Sequence, residues 1–244
     1  MGMIRILYLF FFGALAAAGA GCSRNGEGLE IPPPVPTVTD TTAPSTTYLA
    51  LGDSYTIGQG LPAEGRFPYL LAQALLDSSV RTGEPRYIAR TGWTTDELLS
   101  AINAEANLSH SFGLVTLLIG VNDQYRHRDT GSYRAGFTAL LDRAITLAGG
   151  RRNRVFVLSI PDYSATPFVA PADKDRVRLE IDGFNAINRR ITEAYGVSYT
   201  DITPLSRNAA GDASLLAPDG LHYSAKAHGQ WAALLAPKVA AVLK

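Results

Sequence analysis

Leu114-Val115-Thr116-Leu117-Leu118-Ile119 is apolar at five of its six positions, and Gly120-Val121-Asn122-Asp123 follows at once. A strand with one wet face alternates polar and apolar residues. A run this apolar belongs to a strand covered on both faces, the usual condition of a parallel sheet. Residues 48–51, 86–89, 154–159 and 197–201 are further strand-like runs. The segments between them carry helical stripes. Phe67, Leu70, Leu71, Ala74 and Leu75 recur at i, i+3, i+4, i+7 and i+8, and Phe137, Leu140, Leu141, Ala144 and Ile145 repeat that spacing before Gly149. Val177, Ile181, Phe184, Ile187 and Ile191 form another stripe. Thr94 and Glu97 have capping-box spacing ahead of Leu98, and Ser224 stands where it could cap a last helix carrying Trp231. This β-α-β-α alternation predicts an α/β domain, a parallel sheet with helices on both faces.

In such sheets ligands bind beyond the carboxyl ends of the strands. The first run is followed there by Gly52-Asp53-Ser54-Tyr55 with Gly58 and Gly60, the second by Arg90-Thr91-Gly92-Trp93, and the third by Gly120-Val121-Asn122-Asp123. Asp219-Gly220-Leu221-His222 stands near the C-terminus. A serine hydroxyl needs a base to become a good nucleophile, and a neutral imidazole supplies one near neutral pH. Asp219 lies three residues before His222, close enough to hold Nδ1–H across a tight turn that Gly220 permits. None of the other three histidines, His110, His127 and His228, has an acid at that spacing, and they read as surface or structural. Each residue also has a plainer role: Ser54 as a helix cap, Asn122 as a turn former, His222 as a loop histidine. No His-rich or Cys-rich spacing suggests a metal.

Together the four blocks resemble the SGNH/GDSL-type serine esterases and lipases, named for Ser, Gly, Asn and His in this order, and the resemblance runs from about Leu49 to the last helix. It implies a three-layer α/β/α fold with a flavodoxin-like central parallel sheet of about five strands. It also implies catalytic roles for Ser54, Asp219 and His222, an oxyanion hole built from Ser54 N–H, Gly92 N–H and the Asn122 amide, and no cofactor. Tyr55 departs from the Leu or Ile common after Gly-Asp-Ser. There is no Gly-x-Ser-x-Gly elbow, which disfavours the ordinary α/β-hydrolase fold. Tyr55, Tyr163 and Phe168 are candidates to line the substrate pocket. Asp53 and Asp123 are expected to shape their loops. Arg126-His127-Arg128 reads as a solvated first helical turn, or else as a basic lip for an anionic substrate.

The reaction implied is hydrolysis of carboxylic esters with short-to-medium acyl chains; a carbohydrate O-deacetylase or a lysophospholipase would use the same machinery. Two readings of another class stand beside it. One is a flavodoxin-like module cradling a phosphate between Gly52 and Gly60, and the other is a catalytically idle glycan-binding protein.

The N-terminus adds a location. Residues 6–18 are an uninterrupted run of apolar and small residues, the length of a signal-peptide core and short for a membrane span. Gly19-Ala20-Gly21 precede Cys22, the single cysteine of the chain. This resembles the acceptor cysteine of a bacterial lipoprotein, with Gly19 where Leu is preferred. Residues 1–21 thus read as a lipoprotein-type signal, 22–47 as a Pro/Thr-rich tether, and 48–244 as the hydrolase domain. The expected setting is the cell envelope, with an N-terminal lipid anchor in the membrane; plain secretion is the alternative. Basic and acidic residues balance at 22 each, which argues against nucleic-acid binding. Mass spectrometry of the mature N-terminus is expected to find residues 1–21 removed and a diacylglycerol adduct on Cys22; an unmodified cysteine would leave secretion.

Overall fold

The structure, a computed structural model, describes residues 45–244; residues 1–44, with the signal segment, Cys22 and nearly all of the tether, lie outside the described residues. Along the chain run β1 (Tyr48–Gly52), α1 (Ser54–Ile57), α2 (Phe67–Asp77), β2 (Arg86–Ala89), α3 (Thr95–Ala104) and β3 (Leu114–Leu118). They are followed by α4 (Val121–Tyr125), α5 (Thr130–Leu147), β4 (Val155–Leu158), α6 (Lys174–Ala194), β5 (Ser198–Thr200), α7 (Thr203–Arg207) and α8 (Ala225–Leu243). The five strands form one parallel sheet in the order β2-β1-β3-β4-β5. This is the flavodoxin-like order, and it reverses direction between β1 and β3. Backbone bonding is already present just before β1: Thr46 N–H donates to Arg81 O and Thr46 O accepts from Gly83 N–H, both at 2.9 Å.

All residues of β1, β3 and β4 are buried, whereas the edge strands β2 and β5 are partly exposed. Thr116, the polar member of β3, is satisfied across the sheet by the hydroxyl of Tyr48 at 3.1 Å. Right-handed crossovers send α2 to one face of the sheet and α3, α5 and α6 to the other. Accordingly α3 packs on α5 and α5 on α6, while α8 returns to pack against α2.

The α2–α8 contact is pinned by His228. Its Nδ1 accepts the N–H of Phe67 at 3.0 Å, supplying a partner for an amide in the first turn of α2 that has none within the helix. The ring stacks on Trp231 with centroids 4.5 Å apart, and burial pushes its pKa down to about 3, with the nearby His222 adding to the effect. His228 is therefore a neutral structural group. The capping-box spacing is realised: Glu97 accepts from Thr94 N–H at 2.9 Å. Ser224 does occupy the N-cap position of α8, but its hydroxyl donates to Ser214 O at 2.7 Å and leaves the helix amides alone.

At the end of β3 the chain turns sharply into α4 through Gly120, whose φ of 127° suits glycine. A Cβ there would lie 2.7 Å from the Tyr133 hydroxyl and 2.8 Å from Ile160 Cδ1. Gly120→Ala combines backbone strain with overpacking. It is expected to cost about 2–4 kcal/mol, read as a fall in Tm of roughly 4–16 °C.

Candidate active site

The β1–β3 reversal brings the three strand-end loops together, and the turn before α8 closes over them. In the first loop, Asp53 is the N-cap of α1, and its Oδ1 accepts Tyr55 N–H at 3.0 Å. Capping thus falls to Asp53, and the hydroxyl of Ser54, the first residue of α1, is not used for it. The second carboxyl oxygen of Asp53 is buried without a partner. Burial raises the pKa of this group to about 7; the Tyr55 N–H opposes the rise and the charge of Asp123 adds to it. In the third loop, Asp123 accepts from Thr95 N–H at 3.0 Å and Thr95 Oγ1 at 2.7 Å, tying α4 to the start of α3. Both acids shape their loops, as expected from their positions.

The turn before α8 carries the acid and the histidine. Asp219 Oδ2 lies 2.6 Å from His222 Nδ1, while Oδ1 accepts the backbone N–H groups of Leu221 at 3.0 Å and His222 at 2.9 Å. Gly220, with φ of 67°, allows the turn. Desolvation pushes the Asp219 carboxyl up, but the His222 ring and these two N–H groups outweigh it and hold its pKa below the usual carboxylate range. The carboxylate thereby fixes the proton on Nδ1 and leaves Nε2 as the lone pair. The turn itself is fastened by Ala217 N–H to His222 O at 2.8 Å and by the Tyr223 hydroxyl to Asp162 O at 2.9 Å.

Gly92 has φ of 86° and sits in a loop gripped from α4. Asn122 Nδ2 donates to Trp93 O at 2.9 Å, which leaves the second amide proton for the pocket. Ser54, Gly92, Asn122 and His222 all line one cavity of about 180 Å³. No hydrogen bond joins Ser54 Oγ to His222 here, and contacts of this kind often tighten only when substrate binds.

Tyr55, Tyr163 and Phe168 all line the cavity. The Tyr55 ring meets His222 edge-on with centroids 5.8 Å apart, and the Tyr163 hydroxyl donates to Gln124 at 2.9 Å. Sequence reasoning missed Tyr125, Val121 and Leu221 on the same wall. The signal for Tyr125 was its position three residues after Asn122, one helical turn along the same face. The basic triplet also differs from its expected first-turn placement: it follows α4, and Arg126 and Arg128 pair with Glu97 at 3.1 Å and Asp96 at 2.7 Å.

The Asp53 carboxyl has a consequence for stability. Its folded-state pKa is raised, so between about 4 and 7 the native state keeps a proton that the unfolded chain has released, and stability is lost as pH rises through that window. Asp53→Asn keeps the acceptor for Tyr55 N–H and cannot ionise. Its Tm relative to the wild-type chain is expected to climb from about pH 4 to about pH 7 and level off above; a difference independent of pH would contradict this assignment.

Known proteins agree with this architecture. Residues 50–230 match the model of the GDSL-like lipase/acylhydrolase family. Among solved structures, a lipase/acylhydrolase from Enterococcus faecalis superposes with a TM-score of 0.61 at 20% identity, covering 82% of this chain and 97% of that one. A psychrotrophic esterase from Pseudoalteromonas sp. gives 0.61 at 18%, covering 80% and 97%. An acetylxylan esterase from Geobacillus stearothermophilus gives 0.60 at 18%, covering 80% and 94%. At these identities the structural likeness speaks for the fold. No curated protein matches the sequence significantly. The family match spans the Ser54, Gly92, Asn122 and His222 blocks that the fold gathers around one cavity, and the chain belongs to the GDSL-like lipase/acylhydrolase family.

Proposed function

We propose that the protein hydrolyses carboxylic esters of short-to-medium acyl chains with Ser54 as nucleophile. The observation that carries this reading is the 2.6 Å Asp219–His222 contact beside Ser54, in a cavity that also holds Gly92 and Asn122. His222 Nε2 takes the Ser54 proton as Oγ attacks the acyl carbonyl. The electron pair moves to the carbonyl oxygen, which sits among Ser54 N–H, Gly92 N–H and the Asn122 amide. His222 then gives its proton to the leaving alkoxide, and an acyl-serine remains. Water, deprotonated by the same imidazole, attacks the acyl-serine; the acid departs and Ser54 recovers its proton. Asp219 keeps the ring in one tautomer and stabilises the imidazolium.

A cavity of about 180 Å³ favours a small acyl group and gives a long chain, as in a lysophospholipid, little room. A second reading is carbohydrate O-deacetylation. Tyr125 and Phe168 are 53% and 50% exposed at the cavity wall with rings 6.4 Å apart, a surface on which a sugar ring could lie. The activity of the acetylxylan esterase neighbour is consistent with this option. Phosphate-cradle and idle-binder readings give no task to the Asp219–His222 pair. The proposed place of action is the cell envelope, with Cys22 as the lipid anchor.

A p-nitrophenyl ester series from acetate to palmitate on the full-length chain tests the reading. Activity is expected to peak at the short acyl chains. Ser54→Ala and His222→Ala should each lower kcat by at least about 10³-fold, and Asn122→Ala by about 10²–10³-fold. Hydrolysis surviving in Ser54→Ala would remove the nucleophile assignment.

A further inference from the structure

Asn122 and Arg126 are four residues apart, one in the first turn of α4 and the other at its C-cap, so they project from one face. They grip consecutive carbonyls of the second strand-end loop. Asn122 Nδ2 donates to Trp93 O at 2.9 Å, and Arg126 Nη2 donates to Gly92 O at 2.6 Å. We propose that Arg126 is a positioning residue for the oxyanion site, an inference that rests on the ester-hydrolase reading of that site. It acts through Gly92: holding the Gly92 carbonyl fixes the peptide after Gly92, and with it one flank of the turn that carries the Gly92 N–H, a turn closed by Trp93 N–H donating to Arg90 O at 3.2 Å.

The loop needs such a clamp because glycine is free to rotate about both of its soft dihedrals. Upstream, Thr91 Oγ1 donates to Gln59 Oε1 at 2.6 Å. Downstream, Thr94 N–H is held by Glu97 Oε2 at 2.9 Å. Arg126 joins the middle to the downstream hold, because its Nη1 reaches Glu97 Oε1 at 3.1 Å while Nη2 holds Gly92. A planar guanidinium makes both contacts at once, whereas an ammonium on a flexible stem satisfies them less well.

Arg126 is not among the cavity-lining residues, so its proposed effect runs through the Gly92 loop. Its side chain is also 44% exposed, and an exposed ion pair adds little stability. A catalytic effect without a folding effect is therefore the signature of this role.

The test measures kcat, KM and Tm of the full-length chain with p-nitrophenyl acetate for Arg126→Ala, Arg126→Lys and Ser54→Ala in parallel. The expected result for Arg126→Ala is a fall in kcat of about 10–100-fold, with KM and Tm close to wild type. Arg126→Lys should fall between the two. If Ser54→Ala is inactive while Arg126→Ala keeps wild-type kcat, the positioning role is overturned and the hydrolase reading stands. A raised KM with unchanged kcat also overturns it, since that marks a substrate contact. Hydrolysis retained in Ser54→Ala overturns the hydrolase reading and this inference with it. Should Arg126→Ala fail to fold, Arg126→Lys decides: wild-type kcat overturns the proposal, and a fall of about 3-fold or more at constant KM supports it.

Discussion

The closest constraint in the fold is the approach of Gly52 to its neighbours. Gly52 ends β1 and pairs in register with Leu118 at the end of β3. A Cβ on Gly52 would collide with both the Leu118 carbonyl and the Thr56 hydroxyl. Only the absence of a side chain lets the two strand ends and the first turn of α1 meet. That register sets the Ser54 loop and the Asn122 loop at one height, and the reversal of strand order between β1 and β3 opens the crevice into which they face. The geometry of the site depends on this meeting.

Around the crevice, irregular backbone is stiffened by buried polar contacts. Asn185 on α6 accepts from Ile160 N–H at 2.8 Å and donates to Ile160 O at 2.9 Å, a reciprocal grip on the segment after β4. Asp162, fully buried, pairs with Arg207 at 2.7 Å and accepts Ser164 N–H at 2.9 Å. Its carbonyl anchors Tyr223 beside His222. Loops ordinarily lie on the surface because their backbone groups need water. Here side chains take the place of water, so the loops can be both irregular and fixed, which positioning of a reacting atom requires.

Much of the architecture was legible in the sequence. β3 and β4 are covered on both faces, so their apolar runs stood out; β5 is an edge strand, and its Ser198-Tyr199-Thr200 is readable mainly through the alternation around it. The strand-end residues that line the cavity were legible because ligands of parallel α/β sheets bind beyond the carboxyl ends of the strands. Local reading still left details open. The plainer reading of Ser54 as a cap, set aside for the nucleophile role, is not realised: Asp53 takes the cap by accepting Tyr55 N–H. The tie between Arg126 and Gly92 spans 34 positions and is set by packing of α4 against the loop, which no local pattern records. The neutral state of His228 follows from burial between α2 and α8, again a tertiary fact.

The attachment of α8 through His228 also bears on the order of assembly. Chains are made from the N-terminus, so the nucleophile candidate is synthesised early and joins a sheet whose first strands are close in sequence. The acid–base pair sits in the turn leading into α8, the helix that seals α2. On the proposed ester-hydrolase reading, Ser54 lacks its base until that helix docks and the His228 imidazole takes the Phe67 amide. That reading couples reactivity to completion of the fold.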